Sequence, residues 1–232
     1  MKNLLLLSSS RYADHPYLEQ PLAYIRSFLP DGVKRAAFVP YAGVTITYPE
    51  YHQMVSEALA TLNIDIINVA EAESPTQAIA DAELILVGGG NTFELLKQLY
   101  ENELLHAIRA KVESGTPYIG WSAGSNMAGP TICTTNDMPI VEPPSFNALD
   151  LVPYQINPHF TDATLPGHNG ESRSQRLAEY LVMNQDQKVI CLPEGCAIEV
   201  RSDKHTYLGV SAGKQLTLGV DQPLNDGEIF LS

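Results

Sequence analysis

The chain has 232 residues, with 14 Lys and Arg against 27 Asp and Glu, a formal net charge of −13 and 44% hydrophobic residues. That length suffices for a domain with a full apolar core, and the hydrophobic share excludes a disordered chain. The acidic excess repels phosphate backbones and anionic lipid, and no basic patch offsets it, which argues against nucleic-acid and membrane-surface roles.

At the start of the chain, Met1-Lys2-Asn3 leads into only four leucines, Leu4 to Leu7, before Ser8. Such a run is too short for a signal-peptide core or a membrane span. Cys133, Cys191 and Cys196 are odd in number and lack CxxC spacing, so neither a disulfide framework nor a zinc site is expected. The expectation is a cytoplasmic protein.

Short aliphatic runs then alternate with helix signals. Leu4–Leu7, Ala36–Val39, Ile64–Asn68, Leu84–Val87 and Pro117–Gly120 each read as a buried strand, too short for a helix and bounded by turn residues. Thr47 and Glu50 have capping-box spacing and open a helix to about Leu62, and Ser74-Pro75 puts proline where a first turn tolerates it. Asn91 and Glu94 repeat the pattern for a helix through Tyr100, and another covers Leu104 to Glu113. This alternation predicts an α/β fold whose mostly parallel sheet is covered on both faces, with ligands gathering at the carboxyl ends of the strands. Beyond residue 129 the rhythm changes. Prolines at 130, 139, 143, 144, 153 and 158 indicate loops and short strands, followed by a helix from Ser172 to Met183. The tail, Val189 to Leu231, reads as short strands with a hairpin near Ala212-Gly213. With no repeat or linker, residues 1–232 are expected to form a single domain.

Two glycine-rich turns fall at predicted strand ends. Gly120-Trp121-Ser122-Ala123-Gly124 fits G-x-S-x-G, in which a tight strand-to-helix turn projects the serine hydroxyl into a cleft. The amide of Ala123 would face a developing oxyanion there. Gly88-Gly89-Gly90-Asn91 leaves backbone amides free for a phosphate or an oxyanion, although it lacks the ending of a P-loop and fails G-x-G-x-x-G because Phe93 stands at the third glycine. A close turn that merely requires glycine is the plainer reading of this segment.

A nucleophilic serine needs a base, and the base needs an orienting acid. Among the histidines at 15, 52, 106, 159, 168 and 205, His159 is favoured because it follows the strand-like Val152–Ile156, with His168 as rival in a Pro-Gly-His-Asn-Gly loop. For the acid, Glu194 follows the strand-like Val189–Leu192, Asp137 is the rival, and Asp150 and Asp162 are weaker. The order serine, histidine, glutamate differs from that of the α/β-hydrolases, which points to a different scaffold.

With these residues in place, the chain resembles the peptidase E family of Ser-His-Glu aspartyl dipeptidases. The matching segments are the Leu4–Ser8 start, Pro40–Thr45, Val87–Phe93, Ile119–Gly124, Thr134–Val141, Gln155–Phe160 and Leu192–Gly195. The resemblance implies a flavodoxin-like fold related to class I glutamine amidotransferases, with serine where those enzymes use cysteine. It also implies a serine hydrolase that cleaves dipeptides with an amino-terminal aspartate through an acyl-enzyme on Ser122. His159 would be the base, Glu194 the acid, and Asp137 would lie near the site. Amides of Gly89, Gly90 and Ala123 would hold the oxyanion, with no metal or organic cofactor. Arg173, in the first turn of the helix after His159, could grip the substrate carboxylate bidentately. On spacing alone, such an arginine is more often a solvated charge. Glu171 or Asp137 could hold the substrate ammonium. The expected partners are small peptides, not nucleic acid or membrane, and the protein would be a monomer or homodimer. Two other readings remain at this stage: a related peptidase acting on other acidic peptides such as cyanophycin-type linkages, or a non-catalytic anion-binding module.

Overall fold

Each of the five aliphatic runs forms a strand in the computed structural model of the chain, which describes residues 1–163, 167 and 169–231. In chain order the elements are β1 (Asn3–Leu7), α1 (Leu22–Phe28), β2 (Arg35–Val39), α2 (Tyr48–Ala58), β3 (Asp65–Asn68), α3 (Pro75–Asp81) and β4 (Leu84–Val87). Then come α4 (Thr92–Glu101), α5 (Leu104–Glu113), β5 (Tyr118–Trp121), the single turn α6 (Ala123–Asn126), β6 (Gln155–Asn157), α7 (Arg173–Met183) and β7 (Val189–Cys191). The tail contributes β8 (Ala197–Arg201), β9 (Lys204–Leu208), β10 (Gly213–Thr217), β11 (Val220–Leu224) and β12 (Ile229–Leu231).

Eight strands form one sheet in the order β12-β9-β8-β1-β5-β4-β2-β3. The five strands from the first half pair in parallel, whereas β8, β9 and β12 add an antiparallel flank beside β1. The sheet is therefore mostly parallel, as the alternating pattern requires. β1 is central, and its side chains serve both faces. Leu4 and Leu6 join a core with Leu95, Leu99 and Ile108 of α4 and α5. Leu5 and Leu7 join a second core with Ile25, Phe28 and Val55 of α1 and α2. Burial on both faces is the reason the strand is an unbroken leucine run and not an alternating one.

The expected caps form. Thr47 and Glu50 make a reciprocal capping box at α2, and Ser74 accepts from the Gln77 amide at α3. Asn91 caps α4 by accepting from the amides of Phe93 and Glu94, but the box is not reciprocated, because the Asn91 amide donates to Ala42 O at 2.8 Å. Two features differ from expectation. α1 carries no side-chain cap and is held by its buried face, Ile25 and Phe28, so it has no local start signal. The tail hairpin turns at Leu218-Gly219 between β10 and β11, not at Ala212-Gly213. Gly213 is instead the first residue of β10, where a Cβ would lie 2.5 Å from the Tyr207 ring.

A second sheet, ordered β11-β10-β7-β6, carries the parallel pair β6 and β7 with Asn157 opposite Cys191. Among the described residues, no helix is long and apolar enough to cross a membrane.

Candidate active site

Ser122 occupies the turn between β5 and α6 with φ 53° and ψ −111°, a conformation that costs an L-residue about 1–3 kcal/mol. Close packing enforces it. A Cβ at Gly120 would lie 2.4 Å from Gly124 O, and one at Gly124 would lie 2.2 Å from Val87 O, so only glycine lets the turn fold this tightly. The Ser122 amide donates to Leu7 O at 3.1 Å, and the buried Ser125 hydroxyl reaches Leu7 O at 2.7 Å and Gly120 O at 2.9 Å. The serine is thus tied to the end of the central strand.

His159 and Glu194 come together because β6 and β7 are parallel neighbours whose ends lie side by side. The ladder continues past both strands, with Leu192 N donating to Asn157 O and Phe160 N to Leu192 O, each at 2.9 Å. His159, two residues beyond β6, and Glu194, three beyond β7, therefore project from adjacent loops. Nε2 of His159 lies 2.9 Å from Ser122 Oγ, and Nδ1 lies 2.9 Å from Glu194 Oε1. A proton on Nδ1 would leave Nε2 as acceptor for the serine hydroxyl, which is the tautomer a general base needs. Ser8 joins the two sheets at this point. Its hydroxyl is fully buried, accepts from the His159 amide at 2.9 Å and donates to Leu192 O at 2.7 Å.

The Gly88–Gly90 turn lies against the serine. A Cβ on Gly89 would sit 3.0 Å from Ser122 Cβ, and one on Gly90, at φ 137°, only 2.0 Å from Ala42 O. The Tyr51 hydroxyl donates to Gly89 O at 2.9 Å, while Trp121 Nε1 and Tyr17 Oη each lie 3.2 Å from the Tyr51 oxygen. Burial pushes both phenol pKa values up, so both stay protonated. The amides of Gly89, Gly90 and Ala123 make no hydrogen bond among the described residues. A cleft of about 570 Å³ opens beside Ser122 and His159, with Tyr17, Val44, Ile46, Tyr51, Met54 and Ile140 in its walls.

Asp137 is adjacent but does not bond to the imidazole. Its Oδ2 accepts from Thr92 N at 2.7 Å, Thr92 Oγ1 at 2.5 Å and Thr135 Oγ1 at 3.1 Å, which fastens the Thr134–Val141 loop to the start of α4. The acid bonded to His159 is therefore Glu194. Asp162 pairs with Lys214 at 2.7 Å, and Asp150 is exposed. Arg173 is half-buried in the first turn of α7. Its Nη1 is buried without a partner among the described residues, and burial, then Arg176, pulls its pKa down. Arg173 lines neither cavity that touches Ser122. His168 lies outside the described residues. His205 is buried against Tyr154, and His106 is exposed. Ser8, Tyr17 and Tyr51 were not singled out by any motif, because their roles arise only from contacts distant in sequence.

The sequence profile of peptidase family S51 matches residues 4–208. Peptidase E of Actinobacillus pleuropneumoniae serotype 5b is 53% identical over 210 residues, 90% of each chain. Peptidase E of Haemophilus influenzae strain Rd is 52% identical, covering 90% of this chain and 96% of its own. The crystal structure of a peptidase from an acI-B1 Actinobacterium superimposes with a TM-score of 0.74 over 100% of this chain and 97% of that one, at 19% identity, and so supports the fold. The chain belongs to peptidase family S51 and is a serine peptidase.

Proposed function

We propose that the protein hydrolyses dipeptides with an amino-terminal aspartate through an acyl-enzyme on Ser122. The observation that carries this reading is the continuous chain of contacts from Glu194 through His159 to Ser122, each 2.9 Å long. His159 takes the serine proton as Oγ attacks the scissile carbonyl, and the carbonyl oxygen becomes an oxyanion facing the amides of Gly89, Gly90 and Ala123. The imidazolium, stabilised by Glu194, then protonates the departing amine. Water enters, gives its proton to His159 and attacks the ester, and the returning proton frees Ser122 as aspartate leaves.

The aspartate β-carboxylate requires a cation, which is scarce in a chain of net charge −13. Arg173, whose Nη1 is buried without a partner among the described residues, is the residue assigned to that role. Arg173 lines neither of the two cavities at Ser122, so its assignment rests on its charge and its buried Nη1 and not on contact with the cleft. The deciding experiment is turnover of Asp-Leu by wild type and Ser122→Ala. Loss of at least about a thousandfold in kcat with an unchanged melting temperature is expected, and normal turnover by the variant would remove Ser122 as nucleophile.

A further inference from the structure

Besides the wide cleft, Ser122 and His159 border a second, much smaller cavity, together with Thr92, Ala123, Asn126 and Asp137. We infer that this cavity is the subsite for the α-ammonium of the substrate's first residue, with Asp137 and Asn126 as its acceptors. The inference rests on Ser122 being the nucleophile of an exopeptidase.

Its chemistry points to a cation. All hydrogen bonds to the Asp137 side chain among the described residues end on Oδ2, which leaves Oδ1 without a donor. Asn126 is only 2% exposed, and its amide orientation is set by Nδ2 donating to Ile156 O at 3.3 Å. Its Oδ1 is consequently a buried acceptor with no partner among the described residues. An orphaned buried acceptor beside a carboxylate calls for a donor with several protons, and an ammonium supplies three. No lysine or arginine borders the cavity among the described residues. A carboxylate entering here would be repelled by Asp137 and would leave the Asn126 Oδ1 without a donor.

Size sharpens the assignment. The cavity offers about 20 Å³ to the centre of a water-sized group, room for one ammonium and not for a further residue. The α-nitrogen of an acyl group sits one carbon from the carbonyl under attack, so a cavity that Ser122 itself borders lies within its reach. Acylated or internal peptides are thereby refused, and the β-carboxylate is directed away from Asp137. The specificity for a free amino terminus and the specificity for aspartate then reside in different places.

The test compares Asp-Leu with succinyl-leucine, which differs only in lacking the ammonium. Wild type is expected to favour Asp-Leu at least 100-fold in kcat/KM. In Asp137→Asn, which keeps an acceptor for Thr92, and in Asn126→Ala, that preference should shrink at least tenfold, mainly through loss of Asp-Leu turnover. A wild-type preference below threefold, or a preference unchanged in both variants, overturns the inference and leaves Asp137 only fastening its loop. Binding of aspartate and succinate to Ser122→Ala, measured by calorimetry, reads the same subsite without turnover. Aspartate should bind at least tenfold more tightly, and equal affinity, or binding of neither, would count against the subsite. If wild type cleaves Ala-Leu as fast as Asp-Leu yet refuses propionyl-leucine, the aspartate preference fails while the ammonium subsite stands.

Discussion

Ser8 holds no chemistry of its own, yet removing its hydroxyl should weaken both the fold and the reaction. The side chain is fully buried between the two sheets, where it accepts from the His159 amide and donates to Leu192 O. In Ser8→Ala the His159 amide loses its partner, while Leu192 O keeps the Phe160 amide. Orphaning one buried donor costs about 1–3 kcal/mol. For a chain of this size a loss of about 2 kcal/mol lowers the melting temperature by roughly 4–8 °C. His159 is also held at φ 51°, a conformation its neighbours must enforce, so the imidazole should lose its register with Ser122. Loss of roughly 10- to 100-fold in kcat with little change in KM is expected. Urea unfolding, together with Asp-Leu kinetics, measures both effects. Ser9→Ala serves as control, because among the described residues the Ser9 hydroxyl bonds only to Arg11 O within its own loop. If Ser8→Ala unfolds at the wild-type urea midpoint and retains wild-type kcat, the bridge between the sheets contributes nothing and the reasoning is wrong.

Three further outcomes are expected. Tyr51→Phe removes the hydroxyl that fixes Gly89 O, and with it the direction of the Gly90 amide in the same peptide; kcat should fall roughly tenfold with KM nearly constant, and an effect confined to KM would assign Tyr51 to substrate contact. Arg173→Met should erode the preference for Asp-Leu over Ala-Leu by at least roughly tenfold, and an unchanged ratio would show that another group holds the β-carboxylate. Burial, then Lys2, lowers the His205 pKa to about 4, while Tyr154 bonds to its Nδ1 at 2.7 Å. The unfolded chain protonates this ring near pH 6.5 and the folded chain does not, so stability is complete above that pH and declines as pH falls toward 4, by about 2 kcal/mol. Melting curves of wild type and His205→Asn across that range should differ in slope; parallel curves would refute the linkage.

Much of the architecture is legible in local pattern. Leu4–Leu7 and Leu84–Val87 are apolar on both sides because strands covered by helices have no wet face, and that property is written residue by residue. The elbow at Ser122 is legible from its G-x-S-x-G spacing; Gly120 is demanded within the turn by Gly124 O, while Gly124 is demanded by Val87 O of the neighbouring strand. α1 is not legible, because it has no cap and owes its existence to the sheet it packs on. The hairpin lies away from Ala212-Gly213 because Gly213, a turn residue by composition, is required in β10 by the Tyr207 ring.

Which acid serves the histidine is a different kind of question. Glu194 follows a strand-like run and Asp137 lies in a loop, but neither position says which carboxylate reaches the imidazole. The parallel pairing of β6 with β7 delivers Glu194 to Nδ1, while Thr92 and Thr135 hold one oxygen of Asp137 facing α4. Sequence determined by itself the strand rhythm, the strained serine and the short set of titratable residues at strand ends. Only the tertiary structure decided which of them meet, because the Ser8–His159 contact joins positions 151 residues apart and such closures depend on how two sheets register, not on the order of neighbours along the chain.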